Sequence, residues 1–135
     1  MKEHVAIVIK NPEGKILFIQ RSSKKKTLPD CWSFPSGTVE DEESYFQTAV
    51  RESEEELGIK VIPIKNITTA ELPEFGVKLI FVLCKIKKGN PIIMQPEENQ
   101  DFAFETLDNF FANFSDDKIG HGLIWIRKNR DLFLI

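Results

Sequence analysis

The chain is poor in the residues that build stapled or thiolate-bound modules. Its 135 residues include two cysteines, two histidines and one tyrosine. Cys31 and Cys84 form no Cys-x-x-Cys spacing and no evident pair, which argues against a disulfide scaffold and for a reducing, cytoplasmic setting. No apolar run approaches the ~20 residues that a membrane helix needs. The N-terminus enters V-A-I-V-I directly, without signal-peptide grammar. Positive charge is not in excess: the net charge is −3, so duplex nucleic acid and anionic membrane have no bulk electrostatic attraction. Repeats and low-complexity linkers are absent. What remains is an ordinary globular composition, 41% hydrophobic and 29% charged, with phenylalanine supplying eleven core-filling aromatics. The length predicts one domain over residues 1–135 with one sizeable core.

Short β-branched runs predict strands at 4–10 and 15–21, joined through N-P-E-G as a hairpin. Residues 31–40 (CWSFPSGTVE) read as a loop. From Glu42 to Leu57 the period becomes helical, with Phe46, Ala49 or Val50, Ser53 and Leu57 on one face and Gly58 as the stop. Strands are predicted at 61–72 and 77–89. A helix over 106–114 has Thr106 as its N-cap, and Ser115 or Asp116 caps a last helix through H-G-L-I-W-I-R-K-N. Strands and helices mix without regular alternation, so the fold class is α+β: a mixed or antiparallel sheet with helices packed on it.

Charge is distributed unevenly. Arg21, Lys24, Lys25 and Lys26 are clustered, and the acidic excess lies between Glu40 and Glu56. Such a pair of patches suits a phosphate ligand arriving with a cation, although a solvated loop is the plainer reading of the lysines alone. Residues 51–58 read R-E-S-E-E-E-L-G. On a helix, Glu52, Glu55 and Glu56 stand at i, i+3 and i+4 and share one stripe. Like charges there repel by a few tenths of a kcal/mol per pair. A cation over the stripe would offset this, and an oxygen-only ligand set without histidine suits Mg²⁺ or Mn²⁺ rather than zinc. Arg51 and Glu43 can pair and brace the helix, and Glu54 lies off the stripe. Taken alone, the cluster also reads as a solvated acidic face.

The wider spacing resembles the signature of the Nudix hydrolase family, of the MutT-like kind. Gly37 is followed after five residues by Glu43, after seven more by Arg51-Glu52, then by Glu55-Glu56 and Gly58-Ile59. All seven fixed positions of the 37–59 box match. At roughly 7% per fixed residue, a chance match at a given start is on the order of 10⁻⁸. The resemblance extends to the N-terminal strand, to the hairpin ending in Arg21 and to W-S-F-P-S-G-T-V-E, and weakens after about residue 72. Two positions depart from the pattern. Ser36 stands where the family has glycine, and Ser53 stands where it has an aliphatic residue, with a back-bond to the Ala49 carbonyl as its expected compensation.

The resemblance implies an α/β/α sandwich and a divalent-metal-dependent hydrolase of a nucleoside diphosphate linked to another moiety. It implies metal ligation by Glu52, Glu55 and Glu56, with the Ser36 carbonyl and Glu98 (or Glu97) from the 96–101 segment as further ligands. Glu52 is a ligand or the general base, and Glu43 with Arg51 supports the catalytic set. Arg21, Gly37 and Phe75 are the candidate substrate contacts. His121 reads as a surface or capping histidine. The expected substrate is a nucleoside triphosphate, cut to the monophosphate and pyrophosphate. The alternatives are ADP-ribose or a dinucleoside polyphosphate, and a non-catalytic nucleotide-binding module. The apolar C-terminal D-L-F-L-I suits packing onto the domain or a homodimer partner.

Overall fold

The structure, a computed structural model, describes residues 1–135. Strand β1 (Lys2–Lys10) runs through its centre. Val5 to Ile9 are all buried, because both faces of this β-branched run are covered. β1 pairs in parallel with β6 (Val77–Lys88) from Lys2↔Val77 to Lys10↔Lys85. β6 pairs antiparallel with the edge strand β5 (Lys60–Leu72), whose register shifts three times.

On the other side the expected hairpin is present but opens at once. The Asn11 side chain accepts from the backbone N–H groups of Glu13 and Lys15 and shapes the turn. β1 and β2 (Ile16–Arg21) then pair only at Lys10↔Ile16. Beyond that point they part, and residues 32–38 fill the fork. β3 (Trp32–Ser33) pairs with β2, β4 (Ser36–Thr38) pairs with β1, and the Ile7 N–H donates to the Pro35 carbonyl at 2.7 Å. The segment expected as a free loop is therefore built into the sheet. This fixes Gly37 opposite Val5.

Helix α1 (Tyr45–Leu57) starts later than expected. Glu42 has φ +65°, which a helix cannot contain, and Ser44 is the N-cap of a capping box with Gln47. Gly58, at φ +65°, ends the helix as expected and donates to the Glu54 carbonyl. Ala49, Ser53 and Leu57 face the core, but Phe46 is 39% exposed and does not. Ser53 is fully buried and donates to the Ala49 carbonyl at 2.7 Å, so the polar intrusion is satisfied.

Strand β7 (Asn99–Glu105) pairs with β2 across Ile16↔Glu105 to Arg21↔Asn99. It begins inside the segment read as an acidic loop. Only Phe102 and Phe104 carry its inward alternation, and the polar run before them masks the period. Helix α2 (Leu107–Asn113) has the expected Thr106 cap. Helix α3 (His121–Lys128) is capped by Gly120, whereas Ser115 precedes a separate 3₁₀ turn at Asp116–Lys118. The Gly120 N–H donates to the Trp32 carbonyl, which ties α3 to β3. Two apolar cores lie on the two faces of the sheet. One includes Phe18, Phe34, Phe81, Phe110, Leu123 and Ile126 under α2 and α3; the other includes Ile7, Ile80, Ala49 and Leu57 under α1. This is the expected α/β/α sandwich. At the C-terminus Phe133 is buried and Leu134 is exposed. No helix is long and apolar enough to cross a membrane.

Candidate active site

Arg51 is the hub of the acidic stripe. Its guanidinium grips Glu43 with two bonds, Nε to Oε2 at 2.7 Å and Nη2 to Oε1 at 3.0 Å. Nη1 donates to Glu52 at 2.8 Å and to Glu55 at 3.3 Å, and Nη2 also reaches the Thr38 carbonyl at 3.0 Å. One arginine thus joins the residue before the helix, the helix stripe and strand β4. The Arg51 guanidinium, with help from the Thr48 hydroxyl and the Glu40 amide, holds the Glu43 carboxyl down at about 2. Glu43 in turn raises the Arg51 pKa, so the pair stays charged at any working pH. The expected Arg51–Glu43 brace is therefore present.

Gly37 explains how Glu52 fits. A β-carbon on Gly37 would stand 2.0 Å from Glu52 Cδ. The residue is glycine because a carboxylate lies against its backbone, not because its φ is left-handed. Ser36, the departure beside it, also needs no glycine conformation, as its φ is not positive.

Glu56 is the least satisfied group. Burial pushes its carboxyl up to about 8, the fields of Glu52, Glu55 and Glu98 add to this, and the backbone amide of Ser36 opposes it. Its Oε2 atom is buried without a hydrogen-bond partner. An orphaned carboxylate oxygen is costly unless something positive meets it. Burial also raises Glu52, against the pull of Arg51.

Of these groups Glu56, Ser36 and Gly37 border a cleft of about 470 Å³, whereas Glu52, Glu55, Arg51 and Glu43 lie behind its wall. Its wall includes Arg21, Ser36, Gly37, Glu56, Glu97 and Glu98. Glu98 is held by Lys25, Nζ to Oε2 at 2.9 Å. No three ligating side chains converge on one point, because Glu52 and Glu55 are drawn to Arg51 and Glu98 to Lys25. The donor set nonetheless fits a hard divalent cation: it is all oxygen, and one buried oxygen has no partner. Arg21 spends Nε and Nη2 on Thr27, at 2.6 and 2.9 Å, which leaves Nη1 without a protein partner. Phe75 lies outside the cleft wall, in a 3₁₀ turn, with its ring stacked on His121 at 3.9 Å.

Sequence reasoning missed His4, Gln95 and Asn99, which also line the cleft. His4 lies 3.4 Å from the Thr38 hydroxyl, and burial lowers its pKa. A histidine in an otherwise apolar strand was its only signal. The segment before β7 is anchored to the end of α1, where Ile92 and Met94 donate to the carbonyls of Leu57 and Glu56. That contact brings Glu97 and Glu98 to the cleft and leaves no pattern in the sequence.

The comparisons with known proteins agree with this fold. A NUDIX domain model matches residues 2–122. An uncharacterized Nudix hydrolase of Yersinia pestis is 27% identical over 93% of this chain and 71% of its own length. An 8-oxo-dGTP diphosphatase of Buchnera aphidicola is 31% identical over 63% of each chain. The crystal structure of a MutT protein from Methanosarcina mazei superposes with a TM-score of 0.69 at 22% identity, covering 98% of this chain and 89% of that one.

Proposed function

The chain belongs to the NUDIX family, and we propose that it is a divalent-metal-dependent hydrolase of the pyrophosphate linkage in a nucleoside diphosphate derivative. The substrate class is nucleoside triphosphates, released as monophosphate and pyrophosphate. The observation that carries the reading is the buried, unpartnered Oε2 of Glu56 at the wall of a cleft that also holds Arg21 and Glu98. The partial match to an 8-oxo-dGTP diphosphatase supports the substrate class.

Glu56, Glu55 and Glu52 would hold Mg²⁺ or Mn²⁺, with Glu98 and the backbone of Ser36 beside them. Neutralisation of phosphate oxygens and acidification of water are what a divalent cation supplies when bound. The chain's own residues do the rest. Arg51 pins Glu43 and one oxygen of Glu52, so Glu52 presents its other oxygen in a fixed direction as ligand or proton acceptor. Burial raises the proton affinity of Glu52, which suits the acceptor role. Gly37 leaves room for that carboxylate. The free Nη1 of Arg21 can meet a phosphate oxygen.

The test is product release from nucleoside triphosphates, ADP-ribose and dinucleoside polyphosphates with Mg²⁺, Mn²⁺ or EDTA. Metal-dependent pyrophosphate release from triphosphates is expected. Turnover confined to ADP-ribose or dinucleotides would replace the substrate class, and no turnover by folded, metal-loaded protein would refute hydrolysis.

A further inference from the structure

Lys25 belongs to a basic run whose other lysines, Lys24 and Lys26, are exposed and without a carboxylate partner. Lys25 differs: it is half-buried and pairs with Glu98 at 2.9 Å. Its loop is held close to the acidic segment. The Ser22 N–H donates to the Glu98 carbonyl at 2.8 Å, the Ser23 N–H to Gln100 Oε1 at 2.8 Å, and Gln100 Nε2 to Asp30 at 2.7 Å. Arg21 fastens the same loop through Thr27. The loop that carries Lys25 is therefore fixed beside Glu98, which stands in the cleft wall.

Glu98 lines the same cleft as Glu56, whose buried and unpartnered oxygen marks the site of the proposed cation. A single half-exposed ion pair is weak and screened, whereas a divalent cation shared with buried Glu56 is not. Resting on the cation-dependent reading above, we propose that Lys25 is a phosphate-binding residue held in reserve. Its ammonium neutralises Glu98 until a divalent cation takes that carboxylate, and then engages the pyrophosphate of the incoming substrate. A lysine binds phosphate as a mobile point charge, which suits a group that changes partners. Cation loading and phosphate binding are thereby linked through one side chain.

The exchange makes two opposite demands on Lys25→Met. The probes are Mn²⁺ alone, and then inorganic pyrophosphate at saturating Mn²⁺, each titrated against the melting temperature of the full chain. The Mn²⁺ midpoint should fall about two- to fivefold, the scale of a lost competing surface pair. The pyrophosphate midpoint should rise about tenfold, the scale of a lost charged hydrogen bond. Lys25→Arg should restore the second. Unchanged midpoints beside a lower metal-free melting point would make Lys25 merely structural and overturn the exchange. A weaker Mn²⁺ midpoint in Lys25→Met would overturn it as well. A wild-type chain that does not respond to Mn²⁺ would refute the cation reading itself, and the exchange with it.

Discussion

The Glu52 carboxylate occupies the space that a side chain on Gly37 would need: a β-carbon there would stand 2.0 Å from Glu52 Cδ. Gly37→Ala must therefore push Glu52 away from Arg51. We expect kcat to fall by about 10² or more, as for a misplaced catalytic group, while the melting point drops only modestly. Steady-state kinetics beside a thermal melt checks this, and near-wild-type kcat would show that Glu52 tolerates displacement.

The Arg51–Glu43 pair makes a pH prediction. Glu43 is depressed to about 2 in the folded chain from an ordinary 4.5. Its stabilisation is thus fully present above pH 4.5 and lost as pH falls towards 2. Glu43→Gln should lower the melting point at pH 7, and the difference from wild type should shrink steadily between pH 4.5 and 2. A difference that stays constant with pH would contradict the ion-pair account.

Glu56 has the opposite sign. Its carboxyl is raised to about 8 in the fold, so the metal-free folded chain binds a proton that the unfolded chain releases near 4.5. The Glu56 contribution to stability is then fully present below pH 4.5 and is lost as pH rises through 8. In EDTA, Glu56→Gln should melt higher than wild type at pH 8 and no higher at pH 4. Melting curves at the two pH values decide it.

Ser53 should be dispensable. Its hydroxyl donates to the Ala49 carbonyl in a fully buried site, and alanine is the better helix former. Ser53→Ala should change stability by less than about 1 kcal/mol and leave turnover intact. A large loss by chemical denaturation would assign the hydroxyl a role beyond satisfying itself.

The acidic stripe, its arginine brace and the Gly58 stop are legible because local spacing encodes them, whereas the layered α/β/α arrangement is legible only through the family resemblance. Glu52, Glu55 and Glu56 share a stripe on any helix, and the Gly37–Ile59 spacing is carried by adjacent residues. Contacts between distant segments were not legible. Nothing local tells that residues 32–38 split the β1–β2 hairpin, since that depends on β7 pairing with the other side of β2. The start of α1 was misplaced because Glu42 looks helical in composition and only its left-handed φ excludes it. Lys25 has the sequence setting of any solvated lysine, and only the contact of its loop with the Glu98 segment sets it apart.

The most direct test of the central claim is the Mg²⁺-induced change in melting temperature at pH 8, for wild type and for Glu56→Gln. A ligand that binds the folded chain at about 100 times its Kd adds about 2.7 kcal/mol, a shift of several degrees. The account predicts that rise for wild type and its loss in Glu56→Gln. Equal rises in both proteins would mean that the buried oxygen of Glu56 does not anchor the cation.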